Sequence, residues 1–596
     1  MKYFVTSSVF DKDNVKLDKQ YLSEFSLSEL NLKDQITQEK SYDIRCSLHD
    51  LSSDRRKRIT ETARHTAEKI LLKKIKFLNH TSGIERGYDY WRIIIGPWLN
   101  EVARHCLFLG TLIEDAIATR ESEEPLICPV LPRGDWKLGL DTRAMVMGMK
   151  KPMGSAVICS FLLRKRIPLN NFETEEICEK AGIEKTLGLV ERKKITKKVI
   201  KKILYLIYRL PIFLRSDPIV ISGVSESVGF DLRLLVKSKF RVIPGFYDFP
   251  QKTPLINRKT LPTGNPVENI VTNFEDVLSD FFDQFLPGIF SYGHGDLRQK
   301  SFGFLDPRRV CGFGGSTDWF YNEAFKVCAA ESRHLRDSKL IGVQHGGAYG
   351  MLEHHPLLDE EIEGKDFYLT WGWTAPKSRP LIGLPSPKLS AVKPRKYSDV
   401  ARASTILLTV SEVPIYPRWI GLNEFADAVW RRKQTQQLLI GIEKNILRRI
   451  SVRPNTGNLG WDFDDSLKSI LPPNYIDQRK KTFKSRLEDC SLLITNVPST
   501  TYAEAIASNT PTLLYWNKFT PTKAFRPFLE AFKEAKIAFE NGGDLASFIN
   551  YHDGNLVDWW FSREIQDLRL RFLNEFYITS TSCVDDYLSF FKNIKT

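Results

Sequence analysis

Two stretches of this 596-residue chain alternate short apolar runs with segments of helix length, and this alternation constrains the fold more than any other feature. Between 217 and 373 the apolar runs end in turns, and the runs at 309–315 and 340–347 end in glycines. After a segment rich in proline and basic residues at 374–398, the alternation restarts at 404. Strands that alternate with such helices are typical of parallel sheets covered on both faces. We therefore predict an α/β protein with two doubly wound, Rossmann-like domains that face a central cleft.

The predicted domain boundaries follow the same pattern. Residues 1–375 are predicted to form the first domain, with an N-terminal helical extension and a helical insertion at about 160–215. Residues 376–400 are predicted to be a linker, because the segment is rich in prolines and basic residues. Residues 401–560 are predicted to form the second domain, and 561–596 a helical tail.

Composition narrows the classes of partner and compartment. Lysine and arginine number 86 against 72 aspartates and glutamates, and the net charge of +14 permits nucleic acid, anionic lipid or a phosphorylated substrate as partner. Nine cysteines without a C-x-x-C spacing suggest neither a disulfide framework nor a zinc site. Because no apolar segment is long enough for a spanning helix or a signal peptide, we expect a cytoplasmic protein.

Lysine pairs repeat every four residues at 193–202, and aliphatic residues interleave and follow them to 214. On a helix this pattern gives a lysine face and an aliphatic face, which suits an anionic membrane surface and a peripheral position on the inner membrane. The alternative is an ordinary surface helix whose apolar face packs on the core. Aliphatic rather than aromatic interleaving argues against nucleic acid as a partner.

The strongest local motif is the segment 497–505, VPSTTYAEA, which follows an apolar run and opens a helix. Ser499, Thr500 and Thr501 lie at the predicted helix start, where backbone N–H groups, hydroxyls and the helix dipole bind anions. Glu504, one turn further on, could reach a ribose hydroxyl. The alternative is a capping box formed by Thr501 and Glu504. Because ligands of parallel sheets bind at the carboxyl ends of strands, we favour a phosphate site.

A second motif, at 344–350, places three glycines and a histidine after another apolar run. Glycines let a ligand approach the backbone closely. His345 could act as a general base or acid, or donate to a phosphate. The loop residues predicted to line the cleft beside it are Gln344, Gly346, Gly347 and Tyr349. The histidines that follow lack the spacing of a helical zinc motif, so we predict no metal.

Three further positions are candidates for catalysis or ligand binding. Asp318 follows the glycine turn at 314–315 and is a candidate catalytic carboxylate, although a role in capping the next helix is the alternative. Glu323, one turn on, is a weaker candidate for the same role. Arg92 follows three aromatic residues in a segment that otherwise indicates buried core, and it alone there could face a ligand.

The remaining candidates lie in the predicted second domain. Arg453 and Pro454 end a strand, where an arginine can meet a diphosphate bidentately. Ser411, Tyr416 and Arg418 lie in the loop after the first strand of the second domain and could line a nucleotide site. Ordinary solvated loops are the alternative for both places. The chain carries no P-loop, dinucleotide-binding or nucleophile-elbow motif, which disfavours the chemistry of those classes.

Four segments together resemble a family of bacterial sugar transferases encoded in surface-carbohydrate gene clusters, often beside genes for nonulosonic acids. They are YDYWRIIIGPWL at 88–99, IGVQHGGAYG at 341–350, YLTWGW at 368–373 and NVPSTTYAEAIASNTPTLLYWN at 496–517. The resemblance extends distantly to the GT-B transferases of capsule and lipopolysaccharide, including the Kdo transferases. It implies a nucleotide-sugar donor bound by the second domain, an acceptor bound by the first, no metal or other cofactor, and a C-terminal tail that crosses back to the first domain.

Position by position, the resemblance implies that 499–501 hold the donor phosphate and that Glu504 holds the ribose. The pair Arg453-Pro454 resembles the His-Pro pair that contacts phosphate in transferases of CMP-sugars, with arginine in place of histidine. His345 is similar to the histidine that serves as base in a glycine turn of related polyol-phosphate polymerases. The implied activity is transfer of a sugar, a nonulosonic acid from a CMP donor, to a glycan or lipid-linked acceptor.

Two other functions fit the same frame. A UDP-sugar 2-epimerase that hydrolyses its substrate would also use two Rossmann-like domains, but it needs no membrane-surface helix. A non-catalytic scaffold of a polysaccharide assembly complex would keep the fold and lose the site.

Overall fold

The computed structural model describes three parallel β-sheets and the helices that cover them. The residues that it describes are 2–11, 18–22, 42–45, 52–118, 126–132, 141–149, 152–166, 172–176, 217–225, 227–244, 273–291, 293–353, 358–374, 380–411, 424–454, 467, 470–516 and 520–594. The predicted lysine helix at 193–214 lies outside them. Within these residues, no helix combines the length and the apolar character that crossing a membrane requires.

The first sheet belongs to the N-terminal part of the chain and has the strand order β3-β2-β1-β4-β5. Its parallel strands are β1 (Lys2–Val5), β2 (Lys19–Tyr21), β3 (Asp43–Ile44), β4 (Leu126–Val130) and β5 (Phe172–Glu176). Its helices are α1 (Ser53–Ser82), α2 (Tyr88–Ala118), α3 (Thr142–Met149) and α4 (Pro152–Arg166). The sequence predicts the helical extension, but the sheet was not predicted.

The long helix α2 forms the core of this first unit. Its tryptophans Trp91 and Trp98 are fully buried, and both belong to the cluster that joins α2 to the first sheet. A helix that is apolar on nearly every side is a buried helix, which explains the aromatic segment at 88–99. Trp91 donates from Nε1 to Asn79 of α1 at 2.8 Å, so the polar edge of the ring is satisfied within the core.

The second sheet has six parallel strands in the order β11-β10-β9-β8-β6-β7. They are β6 (Ile219–Ile221), β7 (Val242–Pro244), β8 (Gly312–Gly315), β9 (Lys339–Val343), β10 (Phe367–Thr370) and β11 (Leu381–Gly383). The helices of this part of the chain are α5 (Val228–Lys237), α6 (Phe274–Phe285), α7 (Gly288–Ser291), α8 (His294–Phe304), α9 (Asp318–Tyr321), α10 (Glu323–Arg336) and α11 (Leu358–Ile362). Of these, α6 and α7 pack in the core cluster of α2 and the first sheet. Apart from β11, the predicted strands of this region occur at the expected places.

The third sheet has five parallel strands in the order β13-β12-β14-β15-β16. They are β12 (Thr405–Thr409), β13 (Ile450–Arg453), β14 (Cys490–Thr495), β15 (Thr512–Tyr515) and β16 (Ala538–Phe539). Its helices are α14 (Glu424–Gly441), α15 (Lys444–Leu447), α16 (Phe483–Glu488), α17 (Thr500–Ala507), α18 (Arg526–Glu534), α19 (Gly542–His552) and α20 (Leu556–Trp560). Strand β12 lies between β13 and β14, as its apolar sequence predicts for a central strand.

The segment predicted as a linker is partly structured. Within 376–400, β11 pairs with β10, since Tyr368 faces Leu381 in the register. Two short helices follow, α12 (Pro387–Ser390) and α13 (Tyr397–Ala401). The prediction of a plain linker was wrong here because prolines are compatible with an edge strand and with the first position of a helix.

The C-terminal tail bridges the second and third sheets. Helix α21 (Arg563–Phe576) packs in one cluster with α17 and α18 of the third unit. Helix α22 (Cys583–Lys592) packs instead with β6 and β7 of the second unit. The guanidinium of Arg241 donates to the carbonyls of Phe591 at 3.0 Å and Ile594 at 2.6 Å. The prediction of an α/β fold with two doubly wound parallel sheets is confirmed, and a third parallel sheet is added at the N-terminus.

Candidate functional site

The glycine loop of the second sheet and the helix start of the third sheet lie in direct contact. The loop follows the carboxyl end of β9, and α17 follows the carboxyl end of β14. The backbone N–H of Gly347 donates to Oγ1 of Thr500 at 3.1 Å. The structure therefore brings together the two strongest sequence motifs, at the edge of each sheet where ligands of parallel sheets bind.

Gly347 makes this contact possible because it has no side chain. A Cβ at this position would lie 2.5 Å from the backbone carbon of Ser499 and 2.8 Å from the backbone nitrogen of Thr500. Both neighbours are backbone atoms, so no change of rotamer could relieve the overlap. The neighbouring Gly346 is less crowded, because a Cβ there would meet only Thr500 Oγ1, at 3.4 Å, and Tyr349 Cε2, at 3.9 Å.

We expect Gly347→Ala to lower the free energy of unfolding by about 1–3 kcal/mol, the usual effect of overpacking a close contact. Urea denaturation of the purified protein measures this change. Gly346→Ala is the matched control and should keep a midpoint close to that of the wild type. Equal midpoints for the two variants would show that the two sheets are not held together at Gly347.

His345 is accessible and also hydrogen bonded. Its side chain is 32% exposed, and the Tyr349 hydroxyl lies 3.2 Å from Nδ1 and 3.4 Å from Nε2. The groups around the imidazole remove much of its hydration, which lowers the pKa of His345 to about 4. The ring is therefore neutral at pH 7, the state in which a histidine can accept a proton.

Glu361 of α11 completes this arrangement and was missed by the sequence analysis. Its carboxylate is 3% exposed and accepts hydrogen bonds from Tyr349 at 2.9 Å and from Tyr368 at 2.5 Å. Burial raises the pKa of Glu361 to about 7, and the two tyrosine hydroxyls oppose that rise. Glu361 is one of several acidic residues at 359–363, and no sequence pattern distinguishes it from the others. Only its neighbours in the structure identify its role.

Gln344 shapes the glycine loop from beneath. Its Oε1 accepts from the backbone N–H of Trp371 at 2.9 Å and from Nε1 of Trp373 at 2.7 Å, while its Nε2 donates to the Gly346 carbonyl at 2.7 Å. The side chain is 1% exposed, so it is placed to hold the loop rather than to touch a ligand.

The start of α17 leaves its N-cap side chain uncommitted to the helix. Ser499 is the N-cap residue, and its hydroxyl makes no cap hydrogen bond but lies 2.8 Å from the Thr501 hydroxyl. The alternative prediction, a capping box formed by Thr501 and Glu504, was wrong, because the helix begins at Thr500 and Thr501 is already inside it. Glu504 instead pairs with Lys388 of α12 at 3.0 Å. Its predicted contact with a ribose would compete with this ion pair.

The carboxylates after β8 have different surroundings. Asp318 begins α9, is half-buried and accepts from the Asn322 side chain at 2.9 Å; the N-cap residue is Thr317. Glu323 is fully buried and pairs with fully buried Lys326 at 2.8 Å. Its location in the core argues against the predicted catalytic role and for a structural one.

Arg453 at the end of β13 is engaged with its own neighbours. Its guanidinium donates to Asp477 at 2.9 Å, and Asp477 also accepts from Arg486 at 3.2 Å. Burial would raise the pKa of Asp477, but the backbone N–H of Arg479 and these two guanidiniums lower it. The carbonyl of Pro454 accepts from the Arg479 side chain. A phosphate bound at Arg453 would have to share the Arg453 guanidinium with the carboxylate of Asp477.

Ser411 lies at the same edge of the third sheet. Its backbone N–H donates to Oδ1 of Asn496 at 2.8 Å, and its carbonyl accepts from Asn496 at 3.1 Å and from Arg431 at 3.2 Å. Buried Asn496 thus joins the ends of β12 and β14, another role that the sequence analysis missed. The predicted donor residues Tyr416 and Arg418 lie outside the described residues.

Arg92 lines a cavity of about 240 Å³ between α2 and the second sheet. It pairs with Glu363 at 3.1 Å, and Trp319, Arg333 and Lys365 line the same space. Burial and the nearby Arg92 lower the pKa of Lys365 to about 7. Helix α11 separates this cavity from His345, so Arg92 is not part of the contact between the glycine loop and α17.

Comparison with known proteins identifies the family. The model of the LIC12162 family transferase matches residues 19–591, nearly the whole chain. The chain belongs to this transferase family. No curated protein matches the chain in sequence. A mutant of the O-GlcNAc transferase of Thermobaculum terrenum aligns in structure at a TM-score of 0.32 and 10% identity, covering 89% of this chain and 98% of that one.

In the part of the chain that the structure describes, this transferase contains no cluster of side chains that could bind a metal ion. No three histidines, cysteines, aspartates or glutamates there are close enough to hold an ion. The chemically active groups at the contact of the two sheets are an imidazole, two tyrosine hydroxyls, a buried carboxyl and the hydroxyls of a helix start. These groups can move a proton and bind an anion.

Proposed function

We propose that this transferase is a glycosyltransferase of surface-polysaccharide biosynthesis, such as that of O-antigen or capsule. It would move a sugar, a nonulosonic acid from a CMP donor, to a glycan or lipid-linked acceptor, without a metal. The observation that supports this most is the direct contact of Gly347 with Thr500, which brings the loop that carries His345 against the start of α17. Sugar transfer from a nucleotide requires a base for the acceptor and a site for the leaving phosphate, and the loop and the helix start each carry a candidate for one of these roles.

The donor phosphate would bind at the start of α17. The positive end of the helix dipole and the first-turn N–H groups favour an anion there. The hydroxyls of Ser499 and Thr501 are hydrogen bonded to each other, so this pair adds one further donor. As the bond between the sugar and the phosphate breaks, negative charge grows on the phosphate. Donors aimed at that charge lower the barrier to transfer.

His345 would take the proton from the acceptor hydroxyl. Its neutral ring and its exposed fraction of 32% suit a base that must meet a substrate. The acceptor oxygen forms the new bond to the anomeric carbon while the bond to the donor phosphate breaks and its electron pair leaves with the nucleotide. Asp318, half-buried at the carboxyl end of β8, is the second candidate for the base.

We expect CMP to raise the melting temperature of the purified protein, and EDTA to leave this shift unchanged. A ligand that binds only the folded state stabilises it by an amount that grows with its concentration, about 2.7 kcal/mol at 100 times its Kd. The screen would compare CMP, CDP, UDP, GDP and dTDP, each with and without EDTA. A shift with UDP alone would contradict the CMP donor and favour a UDP-sugar enzyme, while no shift with any nucleotide would contradict nucleotide-dependent transfer.

Variants of α17 locate the nucleotide. Thr501→Val removes a hydroxyl from the helix start and should reduce the CMP shift. Ser508→Ala is the matched control, because its hydroxyl bonds to the Ala505 carbonyl at the opposite end of the helix. Arg453→Ala is less informative, since it would leave Asp477, whose side chain is 7% exposed, with one ion-pair partner fewer. Equal shifts in Thr501→Val and Ser508→Ala would place the nucleotide elsewhere.

A further inference from the structure

Four side chains form one hydrogen-bonded chain beneath the glycine loop. His345 touches Tyr349, Tyr349 donates to Oε1 of Glu361 at 2.9 Å, and Tyr368 donates to Oε2 at 2.5 Å. His345 Nδ1 lies 3.6 Å from Oε1 of Glu361, so the carboxylate is close to the ring without replacing Tyr349 as its partner. Only the His345 end of this chain reaches solvent to a substantial degree.

The number of protons in this chain fixes the tautomer of the histidine. A tyrosine hydroxyl has one proton, and Tyr349 donates it to the ionised carboxylate of Glu361. The Tyr349 oxygen can then only accept from the imidazole. Nδ1 is the nitrogen closer to that oxygen, at 3.2 Å against 3.4 Å for Nε2, and it also faces Glu361, so Nδ1 carries the proton and Nε2 carries the lone pair. If Glu361 is protonated and donates to Tyr349, Tyr349 donates to Nδ1 and the proton of the ring moves to Nε2.

We propose that Glu361 is a positioning residue that acts through Tyr349 to hold His345 in the tautomer whose Nε2 accepts a proton. This inference rests on the proposed function, because it explains how the proposed base is prepared. In the transfer step the proton of the acceptor hydroxyl goes to Nε2 as the new glycosidic bond forms and the nucleotide leaves. The imidazolium keeps its Nδ1–H bond to Tyr349, and the Glu361 carboxylate balances its charge.

The charged and titratable groups that face Glu361 decide when the arrangement exists. They are His345 and Tyr349 from the loop, Tyr368 from β10 and Lys365 from the turn after α11. Since burial brings the pKa of Glu361 to about 7, the ionised form is gained as the pH rises through neutrality. The pKa of His345 is about 4, so protonation of the ring itself cannot produce a change near pH 7.

Modification by diethyl pyrocarbonate tests this inference without a sugar substrate. The reagent acylates an unprotonated ring nitrogen, and in the proposed tautomer that nitrogen is Nε2. Mass spectrometry would give the rate at His345 from pH 5 to pH 9, with exposed His334 as the internal reference. In the wild type we expect the rate to rise with one inflection near pH 7. In Glu361→Gln and in Tyr349→Phe that inflection should be lost.

Tyr368→Phe is the matched control for a structural effect. It removes a hydrogen bond from the other oxygen of Glu361 and leaves Tyr349 and His345 in place. Because that bond favours the carboxylate, its loss should raise the pKa of Glu361 and move the inflection to higher pH without removing it. Thermal unfolding and the rate at His334 report whether each variant is folded. If Glu361→Gln does not fold, the inference is tested with Tyr349→Phe, which loses only one oxygen atom and should also lose the inflection.

Two results would overturn the inference. One is a wild-type rate with no inflection above pH 5, and the other is an inflection near pH 7 that persists in folded Tyr349→Phe. Neither result depends on nucleotide binding. A protein that binds CMP but lacks the inflection would keep the proposed function and lose only this role of Glu361. A protein that shows the inflection but binds no nucleotide would lose the proposed function.

Discussion

Lys326→Met should lower the free energy of unfolding by about 3–5 kcal/mol, the usual effect of removing one partner from a buried ion pair. Lys326 and Glu323 are both fully buried and lie 2.8 Å apart. The ammonium also donates to the carbonyl of Ile94 at 3.0 Å, which ties α10 to α2. The variant would leave the Glu323 carboxylate without its counter-charge in the core. Denaturation in guanidinium chloride, with the slope checked for a two-state transition, measures the loss.

The exposed pair of Lys237 and Asp585 is the matched control. Its atoms lie at the same distance, 2.8 Å, but its side chains are 50% and 55% exposed. Lys237→Met should therefore change the free energy of unfolding by at most about 1 kcal/mol. Equal losses for the two lysine variants would contradict the argument from burial.

The same pair separates a structural from a catalytic role for Glu323. The double variant Glu323→Leu/Lys326→Met removes both charges and should recover most of the stability, since an apolar pair can replace a buried ion pair. If Glu323 has only this role, the double variant should also keep its CMP-dependent thermal shift. A stable double variant that loses transfer activity while its nucleotide shift is intact would restore the catalytic prediction.

The second and third sheets could be predicted because their strands have a local signature. Strands such as β12 and β14 are buried almost throughout and consist mainly of aliphatic residues between turns. The first sheet has no such signature. Several of its strands are polar, such as β2 (KQY), β3 (DI) and β5 (FETEE), and β1 pairs with β4 across more than a hundred intervening residues, as Lys2 faces Leu126. Pairing over that separation depends on packing against α2, which no local pattern reveals.

Some residues of the candidate site could likewise be predicted from the sequence, and others could not. His345 and 499–501 stand out in the sequence because each follows a strand directly, and the topology of a parallel sheet then brings both to carboxyl edges. Glu361 and Asn496 could not be assigned roles, because their importance comes from partners in other segments. The prediction of a catalytic role for Glu323 failed because of tertiary packing. Its position after β8 is typical of a catalytic residue, but α2 and α3 cover it.

His345→Ala should reduce the rate of sugar transfer by about 10²- to 10⁴-fold, the range expected when a general base is removed. The assay would follow release of CMP from a CMP-activated nonulosonic acid. The thermal shift with CMP should stay close to that of the wild type, because the proposed phosphate site is the start of α17 and not the imidazole. A large fall in rate with intact nucleotide binding therefore separates loss of the base from loss of the donor site.

His334→Ala is the control, because it removes an exposed imidazole from the end of α10 that faces solvent. A loss of less than about tenfold in His345→Ala would contradict its role as base, since even a modest general base contributes more than that. Asp318→Asn would then be the next variant, because Asp318 is the remaining candidate carboxylate at the carboxyl edge of the second sheet. Its half-buried carboxylate accepts a hydrogen bond from Asn322, so the amide would keep the shape of the site while removing the negative charge.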